Sequence, residues 1–372
     1  MPFPDEIVLP LRQHAGKPAR VIVKVGDRVE RGDKVAEADG FVSVPIHASA
    51  AGEVVGIGWW PHPDGSMAEA VRIKVEKFSP QIPRPRVIPR WEGLDPKQVV
   101  AAVQMGGVVG LGGAAFPTHV KLLPPKDVPV EVLLVNGAEC EPFLTTDHRT
   151  MVEFPERVWY GVRIMMKALG VGRAVIGIEK NKPDAIDVLT RTKPEDLNAE
   201  VQGLYVKYPQ GAEKMLIKAV VGREVPSGKL PMHVGCIVQN VGTIACIAEI
   251  FETGLPLIER VVTVTGPGVN KPSNLIVPVG AKFRDILEFC GGIKDNVTEV
   301  LSGGPMMGAA QPDLDAPATK GVTGIVVLTG KESRPRTVYN CISCGHCLDA
   351  CPMFLNPSLM GKLAQTAEYQ EM

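Results

Sequence analysis

Four cysteines, Cys341, Cys344, Cys347 and Cys351, crowd together near the C-terminus and are followed directly by Pro352. Their spacing is C-x2-C-x2-C-x3-C-P, whose short intervals let thiolates converge on a compact iron–sulfur cube. Thiolates are soft, electron-rich ligands for iron, and Gly345 permits the sharp backbone path such a site needs. Zinc also accepts cysteine ligands, but this spacing with a terminal Cys-Pro favours iron–sulfur chemistry. His346 reads as a surface or packing residue. Cys140, Cys236, Cys246 and Cys290 are scattered through the chain and read as small buried hydrophobes.

A second group is rich in glycine. The segment GVVGLGGAAFPTHVKL places Gly110, Gly112, Gly113 and Ala115 in the lax G-x-G-x-x-G/A pattern. The usual dinucleotide-binding context is missing, because a helical segment precedes the glycines and Pro117 interrupts a regular helix after them. Glycines would still let backbone N–H groups approach a phosphate closely, with Lys121 supplying a positive charge. A plain structural turn is the alternative.

Composition narrows the function classes. The chain has 372 residues, with 40 basic against 41 acidic side chains and only 5% aromatics. Near-neutral charge and few stacking side chains argue against nucleic acid as a partner. No apolar run approaches the roughly 20 residues of a membrane helix. The N-terminus MPFPDEIVLPL lacks the pattern of a signal peptide. A cytoplasmic location is expected, with docking onto a membrane partner left open.

These candidate groups must be carried by several modules. From Ala19 to Val55, short valine-rich strands alternate with turns such as Gly26-Asp27 and Gly32-Asp33. A proline-rich linker follows between Pro80 and Pro89. Asp95 and Pro96 then open a helix that Gly106 and Gly107 end. Residues 131–136, EVLLVN, read as a buried strand leading into the loop AECEPF. A helix after Pro155, the strand AVIGIE and further helices make the middle region α/β. In GAEKMLIKAVVG, Met215, Leu216, Ala219 and Val220 are expected to face inward. Arg260 opens a ββα unit around Gly266-Pro267-Gly268, and VTGIVVLTG forms a later strand before the basic linker KESRPR.

The first 80 residues or so resemble the barrel-sandwich domain of biotinyl and lipoyl carriers. Glu37-Ala38-Asp39-Gly40-Phe41 stands at the tip where such carriers present a modifiable lysine, and Gly40 has no amine to acylate. A structural or docking role is therefore expected there. The ββα unit resembles a soluble-ligand-binding β-grasp module.

GLGGAAFPTHVKL, LVNGAECEPFLTTDHRTM, YPQGAEKMLIKAVVG, GPGVNKPSNLIVPVG, SGGPMMG and the cysteine run occur in an order that resembles the C subunit of bacterial Rnf ferredoxin–NAD oxidoreductase complexes, over essentially the whole chain. The implied fold is multidomain α/β. Its parts would be an N-terminal barrel-sandwich hybrid (1–80), a complex-I-like FMN-binding α/β domain (91–258), a β-grasp module with a following strand (259–330) and a partial ferredoxin-like iron–sulfur segment (336–372).

The middle region also resembles the FMN- and NADH-binding subunit of respiratory complex I. By that resemblance Gly110, Gly112, Gly113 and Lys121 would hold the FMN phosphate and ribityl groups. Asn136 and Glu141 would line the flavin, and Asn240 and Thr243 would lie near its phosphate. Tyr208, Gly211 and Glu213 fall in a segment near flavin and nicotinamide, with Glu213 a candidate beside the nicotinamide. Two departures stand out: Ala212 replaces the first acid of that segment, and Leu111 replaces the arginine of the glycine loop. The ordinary readings are a turn cap for Asn136, a solvated helix position for Glu213 and packing for Tyr208. Met306 and Met307 read as core filling, with packing near the redox path as the alternative.

The resemblance implies electron transfer between ferredoxin and NAD(H) through FMN and 4Fe-4S clusters, coupled in the complex to Na+ or H+ translocation. Membrane-embedded subunits would carry the ion step, leaving this chain peripheral on the cytoplasmic face of the cell membrane. In two-cluster ferredoxins the fourth cysteine of each run serves the other cluster. One run ending soon after Cys351 thus implies a truncated chain, with two clusters expected in the uninterrupted one. A flavin/iron–sulfur cobalamin reductase and a docking subunit with an empty flavin pocket are the alternatives.

Overall fold

The computed structural model describes residues 1–83, 85, 90–125, 127–333, 337–351 and 353–372. Part of the proline-rich linker, part of KESRPR and Pro352 lie outside the described residues. The chain divides into two compact units, Met1–Glu332 and Ser333–Met372.

The first unit opens with seven strands: β1 (Glu6–Pro10), β2 (Arg20–Val21), β3 (Arg28–Val29), β4 (Lys34–Glu37), β5 (Ile46–His47), β6 (Gly52–Pro61) and β7 (Met67–Val75). They form one sheet of order β1-β7-β6-β3 and another of order β2-β4-β5. The expected turns at Gly26 and Gly32 are present, both glycines having positive φ.

The α/β region follows, with α1 (Pro96–Met105), α2 (Thr118–Lys121), β8 (Val132–Gly137), α3 (Thr146–Glu153), α4 (Pro155–Leu169), β9 (Ala174–Glu179), α5 (Pro183–Thr192), β10 (Ala199–Leu204), α6 (Glu213–Val221), β11 (Cys236–Asn240) and α7 (Val241–Thr253). Helix α1 starts where the residues dictate. Asp95 accepts from the Gln98 backbone, Gln98 reaches back to the Asp95 N–H, and Pro96 occupies the first turn.

The four strands are all parallel, in the order β10-β9-β8-β11. Both faces are covered, which is why every residue of β9 is buried. Leu133 and Val135 face a core with Trp159, Met165 and Ile244, while Val132 and Leu134 face Leu216 and Ile217 on the other side. The inward side of α6 differs from the expected one: Leu216 and Ile217 are buried, Met215 is half-buried and Ala219 is exposed. The sheet contacts the helix one residue around from the apolar stripe, a rotation that spacing alone does not set.

The unit closes with β12 (Glu259–Thr265), β13 (Ser273–Pro278), α8 (Phe283–Phe289), β14 (Val297–Ser302), β15 (Ala309–Ala310) and β16 (Gly324–Thr329), in a mixed sheet of order β13-β12-β16-β14-β15. One face of this sheet carries a small cluster of Leu301, Val326 and Leu328, and the other packs into the barrel. Val264, Val277 and Phe283 pack in one apolar cluster with Ile7, Leu9 and Ile73 of the barrel strands. Two segments far apart in the chain thus share one core.

In the second unit, the cysteine run leads into α9 (His346–Ala350), followed by α10 (Pro357–Gln365). Gly345 caps α9 in the left-handed region, at φ 81°, as the cysteine spacing requires of it. Among the described residues no helix is long and apolar enough to cross a membrane.

Candidate functional site

Open parallel sheets bind ligands beyond the carboxyl ends of their strands, where strand order reverses. Here the chain runs outward from β8 through β9 to β10, then returns to lay β11 on the other side of β8. The reversal therefore falls between β8 and β11. At their carboxyl ends Asn136 and Asn240 are register partners.

Both asparagines are engaged. Asn136 donates through Nδ2 to the Gly211 carbonyl at 2.7 Å, and its Oδ1 accepts from the Ala138 N–H. The expected turn cap is therefore present, together with a tie to the 208–213 segment. Asn240 caps α7 by accepting from the Thr243 N–H at 3.1 Å, and donates to Asp147 at 2.6 Å.

The glycine loop lies against this edge. The Leu111 N–H donates to Thr243 Oγ1 at 2.8 Å. A Cβ on Gly112 would stand 3.2 Å from the Asn240 side chain, whereas one on Gly113 would meet nothing within 4 Å. Gly113, at φ 115°, also occupies backbone space that other residues avoid. The loop thus has one crowded side and one open side, the form a backbone cradle needs. Gly110 sits beside the Phe116 backbone, donating its N–H to the Phe116 carbonyl.

Lys121, at the end of α2, pairs with Glu213 and donates to the Val238 carbonyl at 3.3 Å. Glu213 is therefore an ion-pair partner rather than an unattached solvated residue. Tyr208 is half-exposed rather than packed away. Gly211 approaches Cys140, donating its N–H to Sγ at 3.4 Å. Burial raises the Cys140 thiol pKa, so this cysteine stays protonated at neutral pH.

Glu141 takes a different position from the other candidates. Its carboxylate accepts from the Met306 and Met307 N–H groups, at 3.1 and 2.7 Å. A Cβ at Gly304 would collide with that carboxylate. Met306 and Met307 do not fill a core: they are 53% and 79% exposed. The turn between β14 and β15 is held by its backbone, through Glu141 and the Gly308–Gly304 hydrogen bond, so both side chains project outward. Replacing Glu141 with glutamine would set an amide N–H₂ against one of these backbone donors. Hydrogen exchange at Met306 and Met307 should then rise at least ~10-fold, with a loss of about 1 kcal/mol in stability; unchanged exchange would show that the carboxylate does not hold the turn.

Sequence reasoning missed the charged groups beneath the loop. Glu139 accepts from the Asp147 and His148 N–H groups and from Thr146 Oγ1, closing the N-terminus of α3. Burial raises its pKa despite these donors. Asp147 is pushed up to about 7, first by burial and then by the nearby charge of Glu139. Arg260 is buried at the start of β12, and burial brings its pKa down to about 10. Lys320 donates to the Pro45 and Gly107 carbonyls, and burial lowers it to about 7. An acid in the first turn after TT and a lone arginine opening a valine-rich strand were the available signals.

In the second unit, Cys341 and Cys344 are exposed while Cys347 and Cys351 are half-buried. The Ser343 N–H donates to Cys341 Sγ at 3.4 Å, the kind of backbone donor an iron–sulfur site uses. Among the described residues no three His, Cys, Asp or Glu side chains close on a common point. By type and spacing the thiols suit iron–sulfur ligation. Cys236, Cys246 and Cys290 are buried as expected, and Cys140 is half-buried.

Comparison with known proteins agrees with this organisation. Residues 1–77 match the RnfC barrel sandwich hybrid domain, 103–249 the Nuo51 FMN-binding domain and 261–310 the SLBB domain. Among solved structures, an NAD+-reducing [NiFe]-hydrogenase chain shares the fold with a TM-score of 0.54 at 22% identity, over 65% of this chain; this chain spans 48% of that one. The C subunit of the proton-translocating ferredoxin:NAD(+) oxidoreductase complex of Clostridium ljungdahlii is 47% identical over 100% of this chain and 81% of its own length. The Na(+)-translocating counterpart from Acetobacterium woodii is 43% identical over 97% of this chain and 82% of its own. With identity this high along the whole chain, and the fold and the loop geometry in agreement, this chain belongs to the family of C subunits of Rnf-type ion-translocating ferredoxin:NAD(+) oxidoreductase complexes.

Proposed function

We propose that this chain is the electron-transfer subunit of a ferredoxin:NAD oxidoreductase complex, with FMN at the β8–β11 edge, a 4Fe-4S cluster on Cys341, Cys344 and Cys347, and Cys351 serving a second cluster. The observation that carries the reading is the glycine loop, crowded on one side and open on the other, set at the strand-order reversal beside Lys121. When bound, FMN supplies the link between two-electron hydride chemistry and one-electron iron–sulfur exchange.

Gly110, Gly112 and Gly113 let the backbone approach the phosphate and ribityl groups. Lys121 compensates anionic charge there, and Asn240 and Thr243 hold the loop against α7. Asn136 fixes the Gly211 segment, on which Tyr208 and Glu213 would meet NAD(H). Glu141 would line the flavin while its carboxylate holds the 304–308 turn. The barrel, the FMN domain, a β-grasp module within 259–330 and a ferredoxin-like segment at 336–372 form the working divisions. Ferredoxin would be reached through the complex, and membrane-embedded partners would carry ion translocation, leaving this chain peripheral on the cytoplasmic face. The names of the two relatives specify different ions at nearly equal identity, so overall likeness does not choose the coupling ion.

Anaerobic quantification of flavin, iron and acid-labile sulfide on the purified protein tests the reading. FMN with iron and sulfide is the expected result, and Cys344→Ser should abolish the reduced-cluster paramagnetic signal while leaving flavin content unchanged. Protein free of flavin and sulfide would leave a docking role instead, and cob(III)alamin reduction without NAD-linked activity would favour a cobalamin reductase.

A further inference from the structure

The glycine loop is fastened by a residue from outside the FMN-binding segment. Arg260, the second residue of β12, donates through Nη2 to the Leu111 carbonyl at 3.1 Å and to the Val322 carbonyl at 3.2 Å. It crosses from the mixed sheet into the site. At the other end of the same residue, the Leu111 N–H is taken by Thr243 Oγ1. Both backbone polar groups of Leu111 are therefore held by side chains from other elements, and the Leu111 side chain itself is buried.

This arrangement has a directional consequence. The peptide joining Leu111 to Gly112 is trans, so its C=O and N–H point in opposite directions. Drawing the Leu111 carbonyl inward toward the guanidinium turns the Gly112 N–H away from it. Gly112 is exposed, and among the described residues its N–H has no acceptor. The donor lies beside Gly113, where the space is open.

Arg260 itself is under-satisfied. Its Nε–H is buried and has no acceptor among the described residues. A guanidinium removed from water with spare donors is costly unless negative charge lies near. Asp147 is the acid whose charge favours its protonated form most.

We propose that Arg260 is a positioning residue for an anion-binding glycine loop: by holding the Leu111 carbonyl it aims the Gly112 N–H at the ligand's phosphate, and so makes the mixed sheet part of the flavin site. The inference rests on the reading of the loop as an FMN cradle, and it adds a residue and a route by which β12 shapes cofactor affinity.

The test uses the intact protein stripped of flavin, with Arg260→Lys and Arg260→Met, titrated separately with FMN and with riboflavin, which lacks the phosphate. Loss of a charge-assisted hydrogen bond corresponds to ~10–100-fold in affinity. Arg260→Met is expected to lose that much for FMN and much less for riboflavin, with Arg260→Lys intermediate. An FMN-to-riboflavin preference unchanged from wild type would overturn the proposal, because a general loss of stability would weaken both ligands together. Hydrogen exchange in the flavin-free proteins supplies the second measurement. The Leu111 amide, which Thr243 Oγ1 now protects, should exchange faster in Arg260→Lys, while the amides of β9 stay at the wild-type rate. Wild-type protein that ignores FMN would sink the flavin reading, and in that event equal exchange at the Leu111 amide would sink the positioning role as well. If Arg260→Met does not fold, Arg260→Lys carries both measurements.

Discussion

Replacing Lys121 with alanine should weaken FMN binding by roughly 100-fold, measured by flavin titration of the stripped protein. Two effects add. The substitution removes the ammonium at the end of α2, and it exposes the Glu213 carboxylate that the ammonium now neutralises. An uncompensated acid beside the glycine loop repels a phosphate, in addition to the attraction that is lost. The double substitution Lys121→Ala with Glu213→Ala should therefore recover about 10-fold over the single one. Glu213→Ala alone should bind FMN at least as well as wild type, because Lys121 is then free for the phosphate. A single Lys121→Ala variant with wild-type affinity would remove this lysine from the site. If the double variant were no better than the single, Glu213 would have no electrostatic part in FMN binding, and a role near the nicotinamide would be its remaining assignment.

The second large effect concerns stability against pH. Asp147 is raised to about 7 from an ordinary value near 3.8, and burial also raises Glu139. Between pH ~4 and ~7 the folded protein holds protons that the unfolded chain has released, so unfolding free energy falls as pH rises through that window. Lys320 acts in the opposite sense. Lowered to about 7 from near 10.5, it binds its proton less readily in the folded state, so stability climbs again from pH ~7 toward ~10. The expected profile has a minimum near neutrality, with each limb on the order of a few kcal/mol. Chemical denaturation at fixed pH values measures it. Asp147→Asn should flatten the acid limb and leave the alkaline one, while Lys320→Met should do the reverse. Parallel profiles for wild type and both variants would show that these two groups titrate in the folded protein as they do in the unfolded chain.

A good part of this protein was legible in its residues. Asp95 and Pro96 start α1 because a capping side chain and a fixed φ suit a helix N-terminus wherever they occur. The apolar run AVIGI, closed by Glu179, is a strand buried on both faces, as a run without alternation leads one to expect. Gly345 turns left-handed where the cysteine spacing asks for it. The glycine loop, Lys121, Asn136, Asn240 and Thr243 were found from local pattern and family likeness, and the fold does bring them to one edge of the sheet.

What local pattern could not supply is everything that depends on which distant segments meet. Met306 and Met307 read as core filling because methionine is apolar, yet the turn that carries them is held by its backbone on Glu141. The face of α6 was misjudged by one position, since the sheet, not the stripe, sets a helix's rotation. The barrel and the final mixed sheet looked like separate modules but share a single core. Arg260 and Lys320 carry no motif at all. Their importance comes from burial among carbonyls of segments 149 and 213 residues away in the chain. The amino-acid sequence by itself determined the local elements, the cysteine spacing and the glycine-rich loop, because capping, alternation and backbone freedom act over a few residues. The tertiary structure alone decided which charges are buried beneath that loop, because desolvation and long-range hydrogen bonds exist only once remote segments have packed together.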